Sequence, residues 1–308
     1  MNTATSTTTR RAGAWVVAHL AQRLLPLVPT PRSFSSATRS VAPPEVVDVR
    51  TRHGAVRCFI YSPHPEAALA KTGPNGPPVN LHLHGGAFIV RNPRQEEYIA
   101  HHIAAEVGAV VVLADYATAP QVRYPMAEEQ CFDVASWIRS EAVGRGWDGD
   151  RMSVTGASAG AKLAVNACQQ AHRTGDVTFR ATALAFPVVD LSRTDRTSDK
   201  TRPRISRRIQ RLAIDAYLVD TSRSREALAS PLFDDELAAA MPPTLILTGA
   251  LDTLGPEGEE LAARLSGAGV PVTHHRFSGI DHGFAKSEAA TAHDAMERIA
   301  AHLIRHLR

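Results

Sequence analysis

Apolar positions recur along this chain at two spacings. Alternation over Val46–Arg52 and Ala55–Tyr61, on either side of His53-Gly54, predicts an antiparallel hairpin. Short apolar runs predict buried strands at Val79–Leu83, Ala109–Ala114, Met152–Thr155, Ala181–Pro187, Thr244–Thr248 and Pro271–Phe277. Between them a helical period places Cys131, Val134, Ala135 and Ile138 on one face of 127–143, and Met296, Ile299, Leu303 and Leu307 on one face of 290–307. Further helices are predicted over 159–171 and near 257–267. Strands that alternate with helices in this way indicate a mostly parallel sheet covered by helices on both faces.

Two segments break the rhythm. Near the start, Trp15, Leu20, Leu24 and Leu27 recur at helical spacing, which predicts a short amphipathic helix stopped by Pro29 and Pro31. Later, more than fifty residues separate the strand ending at Pro187 from the one starting at Thr244, too many for a simple crossover. Within them Ile205, Ile209 and Leu212 mark an apolar helical face, and Arg204, Arg207, Arg208 and Arg211 line a different one. The expectation is an inserted lid.

Composition narrows the class. With 308 residues and 44% hydrophobic content the chain can bury a large core, and 21% charged residues is ordinary for a globular protein. A net charge of +3 argues against a dedicated nucleic-acid binder. Three cysteines, Cys58, Cys131 and Cys168, form no C-x-x-C pair, so reduced and packed thiols are expected rather than a disulfide framework or a structural zinc. Arg10-Arg11 followed by Ala14–Ala18 faintly imitates an export signal, but His19, Gln22 and Arg23 interrupt the apolar run. No stretch reaches the roughly 18 apolar residues that span a bilayer. A cytoplasmic protein without stable membrane insertion is expected.

The chemistry lies at strand ends. Gly156-Ala157-Ser158-Ala159-Gly160 follows a strand and opens a helix, the context of a nucleophile elbow, in which a sharp turn lifts the serine oxygen above the sheet. His84-Gly85-Gly86-Ala87 follows the strand Val79–Leu83, where consecutive glycines let backbone amides turn toward a bound carbonyl. A serine needs a base and an orienting carboxylate. Of the 14 histidines, His101, His102, His274, His275 and His302 sit within predicted elements, whereas His282 lies in a loop just past the strand Pro271–Phe277. Asp252 likewise follows Thr244–Thr248. Asp281 and Glu257 compete with it, but Asp281 adjoins the histidine in sequence and Glu257 opens a predicted helix. Asp252 is preferred for its strand-end position. The order Ser158, Asp252, His282 is that of an α/β-hydrolase.

Several separate motifs carry a family resemblance: His84-Gly85-Gly86-Ala87-Phe88, Asp115-Tyr116 with Ala119-Pro120, Gly156–Gly160, Phe186–Leu191, Ser230-Pro231-Leu232, Asp252-Thr253-Leu254 and His282-Gly283-Phe284. Together, from about residue 79 to the C-terminus, the chain resembles the hormone-sensitive-lipase-like α/β-hydrolases, which include many bacterial carboxylesterases. The resemblance implies an eight-stranded α/β-hydrolase sheet over 45–308, with a helical cap formed by residues 1–44 and the insertion 191–229. It implies ester hydrolysis without cofactor or metal, with Ser158 as nucleophile, His282 as base, Asp252 as its orienter, and the amides of Gly85, Gly86 and Ala159 as the oxyanion hole. It also implies pairing through the last strand and helix, so a homodimer is expected. Three positions depart from the family pattern: Ala87 and Ala161 replace glycines, and Ala157 replaces a frequent acidic residue. None removes a catalytic group.

A serine carboxylesterase acting on short-to-medium-chain acyl esters is therefore expected. Amide or acetyl-ester hydrolysis would use the same groups, and a non-catalytic ligand-binding protein on this scaffold is the rival from another class. Nothing in the cap sequence reads as a large apolar docking helix, which favours an esterase over an interfacial lipase. The charge is unevenly divided: residues 1–44 carry +5, residues 191–211 carry +6 and the remainder −8. A basic cap that draws in anionic esters is one expectation, and a merely solvated arginine face the other.

Overall fold

The computed structural model describes residues 2–24, 37–218, 220–284 and 287–308, the first helix by its backbone alone as far as residue 12. Leu27, Pro29 and Pro31, assigned to the end of the first helix, lie outside the described residues. The strands β1 (Glu45–Thr51), β2 (Gly54–Tyr61), β3 (Pro78–Leu83), β4 (Val110–Asp115), β5 (Asp148–Ala157), β6 (Phe179–Ala185), β7 (Thr244–Gly249) and β8 (Val272–Phe277) form one sheet. Its order is β1-β2-β4-β3-β5-β6-β7-β8. Only β2 runs against its neighbours; from β4 to β8 every pairing is parallel.

Strand alternation splits the core into two layers. On β4, Val110, Val112 and Ala114 face one layer and Val111 and Leu113 the other. The first layer is closed by α3 (Met126–Arg145), α4 (Ala159–Thr174) and α6 (Gly255–Gly267), the second by α2 (Glu97–His102) and α7 (Ala289–Leu307). Cys58, Cys131 and Cys168 are all buried and free, and burial pushes the Cys58 thiol up to about 12. Register brings the chemistry together: Leu83 at the end of β3 lies opposite Ala114 of β4 and Gly156 of β5. The loop after β3 and the turn after β5 therefore emerge side by side at one sheet edge, at the carboxyl ends of the strands.

The first helix, α1 (Asn2–Leu24), is oriented differently from the sequence expectation. Ala14 and Ala18 face inward, while Trp15, Leu20 and Leu24 are 45%, 52% and 58% exposed. Gln22 selects that orientation. Its side-chain amide donates to the carbonyls of Ile89 (2.9 Å) and Ala119 (2.6 Å), and the small alanines on the same side allow close packing on α5 (Arg207–Tyr217). The large apolar side chains are thus left facing out. No helix among the described residues is long and apolar enough to cross a membrane.

Candidate active site

Steric crowding dictates the turn between β5 and α4. A Cβ on Gly160 would lie 2.0 Å from the Leu83 carbonyl oxygen, and one on Gly156 would lie 2.3 Å from that of Gly160. Only glycine fits at either place. Between them Ser158 adopts φ 55° and ψ −119°, a conformation that L-residues rarely hold. Its amide donates to Ala185 O at 2.8 Å, which fixes the turn to β6. The side chain is thereby raised above the sheet edge at the N-terminus of α4.

His282 and Asp252 reach the same point from the loops after β8 and β7. His282 Nε2 lies 2.8 Å from Ser158 Oγ, and His282 Nδ1 lies 2.8 Å from Asp252 Oδ2. Asp252 is buried, and its other oxygen accepts the Leu254 amide at 3.0 Å. The competing carboxylates are engaged elsewhere. Glu257 accepts the amides of Val189 (3.0 Å) and Asp190 (3.2 Å) and pairs with Arg196; burial raises its pKa against the pull of Arg196. Asp281 turns away from the imidazole ring and accepts the backbone amides of His282 (2.7 Å) and Arg204 (3.0 Å), with Lys200 Nζ at 3.0 Å. Burial works to raise this carboxyl, but those three donors hold it below its ordinary value.

The loop after β3 corrects one sequence assignment. The Gly85 amide donates to Glu96 Oε2 at 3.0 Å and so is not free for an oxyanion. The Gly85 carbonyl is also held, by Gln95 Nε2 at 2.9 Å and His84 Nδ1 at 2.6 Å. With that peptide fixed, Gly86, Ala87 and Phe88 turn through positive φ (134°, 53° and 60°). The amides of Gly86, Ala87 and Ala159 enter no hydrogen bond among the described residues. The Asp115–Pro120 turn braces this loop from below: Tyr116 OH donates to His84 O at 2.6 Å, and Ala119 N donates to Phe88 O at 2.7 Å. Glu96 and Gln95 carried no sequence signal, because they read as a polar stretch between elements.

The profile of the α/β-hydrolase-fold family matches residues 80–286, two thirds of the chain. The chain belongs to this family. Among curated relatives, an arylesterase of Saccharolobus solfataricus is 30% identical over 208 residues, covering 66% of this chain and 67% of its own length. An acetyl esterase of Salmonella schwarzengrund is 28% identical over 257 residues, covering 81% and 74%. The solved structure of an esterase from Pyrobaculum calidifontis superposes with a TM-score of 0.76 at 25% identity, covering 97% of this chain and 91% of its own. Motifs and relatives together place the chain in the hormone-sensitive-lipase-like branch.

In this α/β-hydrolase a cavity of about 340 Å³ opens above Ser158 and His282. Its walls are mainly apolar; Ala21 of α1 and Ile205, Ile209 and Leu212 of the insertion close it from above. A narrower lobe of about 40 Å³ lies on another side of Ser158, between Ala87, Val188, Leu191 and Ile214. The insertion's basic residues do not form one free face. Arg193 pairs with Asp190 and Glu260, Arg196 with Glu257, and Lys200 with Asp281. Arg204 lies before α5, not on it, and donates to the carbonyls of His282 (2.5 Å) and Gly283 (3.2 Å). It is an anchor for the histidine loop. Arg204→Gln is therefore expected to lower kcat/KM about tenfold for neutral and anionic esters alike, since small displacements of a reacting group are costly. A loss confined to anionic esters in parallel assays would show electrostatic attraction instead.

Proposed function

We propose that this chain is a serine carboxylesterase that cleaves short-to-medium-chain acyl esters through an acyl-enzyme. The observation that carries the reading is the continuous hydrogen-bonded chain Ser158–His282–Asp252 on the floor of an apolar cavity. Membership of the family together with esterase relatives makes the protein a carboxylic ester hydrolase acting on small molecules. In the proposed reaction Ser158 Oγ attacks the ester carbonyl while His282 Nε2 takes its proton. Asp252 holds the ring in the tautomer that keeps Nε2 free to accept and stabilises the imidazolium. The oxyanion rests on the amides of Gly86, Ala87 and Ala159, each worth about 3 kcal/mol in the transition state. His282 then protonates the leaving alcohol, and water repeats the sequence on the acyl-enzyme.

The narrow lobe beside Ser158 supports a small group on one side of the scissile bond, and the larger cavity a longer apolar group on the other. In this reading the helices of 1–44 and 191–229 act as a cap. Copies pair through β8, the terminal strand of the sheet, and the last helix, and the enzyme works in the cytoplasm without cofactor or nucleic acid. The test is a nitrophenyl ester series from acetate to dodecanoate, with matched anilides. Expected is a maximum at or below octanoate, a fall of about tenfold or more by dodecanoate, and negligible anilide cleavage. Rates that climb to the longest chain, or anilides cleaved as fast as esters, would overturn it. A fluorophosphonate should label Ser158; failure to label would favour a binding protein.

A further inference from the structure

Among the described residues no element covers the outward face of α1. Val16, Val17, Leu20 and Leu24 fall within about 100° of helical arc, and each is more than two-fifths exposed. Exposed Arg23 borders this arc, and Trp15, further round the helix, packs at a tilt against His19 with ring centroids 4.0 Å apart. The neighbouring α5 presents Arg207, Arg208 and Arg211 to solvent. Residues 1–44 contain no acidic side chain. Ile209, 38% exposed, also lines the catalytic cavity, so the cavity mouth lies by this surface.

We propose that this face docks on a lipid bilayer bearing anionic headgroups, with Val16, Val17, Leu20 and Leu24 entering the interface and the arginines resting among the phosphates. Large apolar side chains bordered by arginine are what such an interface selects, attraction supplying the approach and burial the hold. A second copy is a poorer occupant, because it would bring two arginine rims together. Docking turns the cavity mouth toward the membrane, where esters of low solubility collect. The binding does not depend on the hydrolytic reading, and the two are tested apart.

The experiment is co-sedimentation of full-length Ser158→Ala protein, which leaves lipid intact, with phosphatidylcholine vesicles with and without about 30% phosphatidylglycerol. Expected is binding to the anionic vesicles at low salt, about tenfold weaker without phosphatidylglycerol and reduced by high salt. Leu20→Asp/Leu24→Asp should weaken it by a further factor of about ten. The same double substitution in the Ser158-containing chain should leave turnover of a water-soluble nitrophenyl ester within about twofold. Three outcomes would overturn the proposal: no binding to anionic vesicles at low salt, binding indifferent to the double substitution, or a dimer in sedimentation velocity that the double substitution dissolves.

Discussion

Ser158→Ala is expected to leave a folded protein whose kcat for a nitrophenyl ester is lower by about five orders of magnitude. The size follows from what is removed. Without Oγ the imidazole of His282 and the carboxylate of Asp252 have no nucleophile to activate, and only binding and oxyanion contacts remain. The fold should be unaffected, because the backbone at 158 is held by its amide bond to Ala185 and by the two flanking glycines. Alanine adopts the same strained conformation at similar cost. The checks are kcat with a contamination-controlled assay, the thermal midpoint, and loss of fluorophosphonate labelling. Retention of more than about one hundredth of the turnover would remove Ser158 from the reaction.

Lys162→Met is expected to destabilise the protein by about 3–5 kcal/mol in denaturant titration, the range for breaking a buried ion pair from one side. Lys162 and Glu128 are both fully buried, with Nζ 2.5 Å from Glu128 Oε1 and 2.8 Å from Asn166 Oδ1. Tyr217 OH donates to the second Glu128 oxygen. Burial lowers the lysine's pKa against the pull of Glu128. Removing the cation alone strands a carboxylate in the core between α3, α4 and α5. Removing the charged pair and the tyrosine together, as Lys162→Met/Glu128→Leu/Tyr217→Phe, should recover most of that loss, leaving the buried Asn166 Oδ1 without its lysine donor at a cost of about 1–3 kcal/mol. The network also lies behind the catalytic loop: Phe88 stacks on Tyr217 with centroids 4.4 Å apart. Lys162→Met should therefore also lower kcat. A single substitution that is stability-neutral would show that the pair is not ionised.

The predicted strands all appear in the structure, with ends moved by a few residues. The largest extension is Met152–Thr155, which grows to Asp148–Ala157, because polar Asp148 and Arg151 satisfy one another at 2.7 Å and so can enter the sheet. His101 and His102 fall within an element as expected, but the bounds of α2 were not legible: Ile99, Ala100, Ile103, Ala104 and Val107 bury one face of the segment that contains it, while Glu96, Glu97, His101 and His102 dominate its composition. The arginines at 204, 207, 208 and 211 have a helical spacing, yet the helix starts only at Arg207. Arg204 instead found two carbonyls on the histidine loop.

The sequence by itself determined the alternation of strands and helices, the glycines flanking Ser158 and the order of the three reactive residues. Each of these follows from short-range rules: side-chain period along a strand or helix, and the steric freedom of glycine in a tight turn. Tertiary structure alone decided that Glu96 would take the Gly85 amide, that Lys162 would find Glu128, and which face of α1 would be buried. Those outcomes depend on partners many residues away, since a charged or amide side chain settles wherever the fold supplies a hydrogen-bond partner. Gln22 found two carbonyls beneath it, and so the apolar face of the first helix was left turned to solvent.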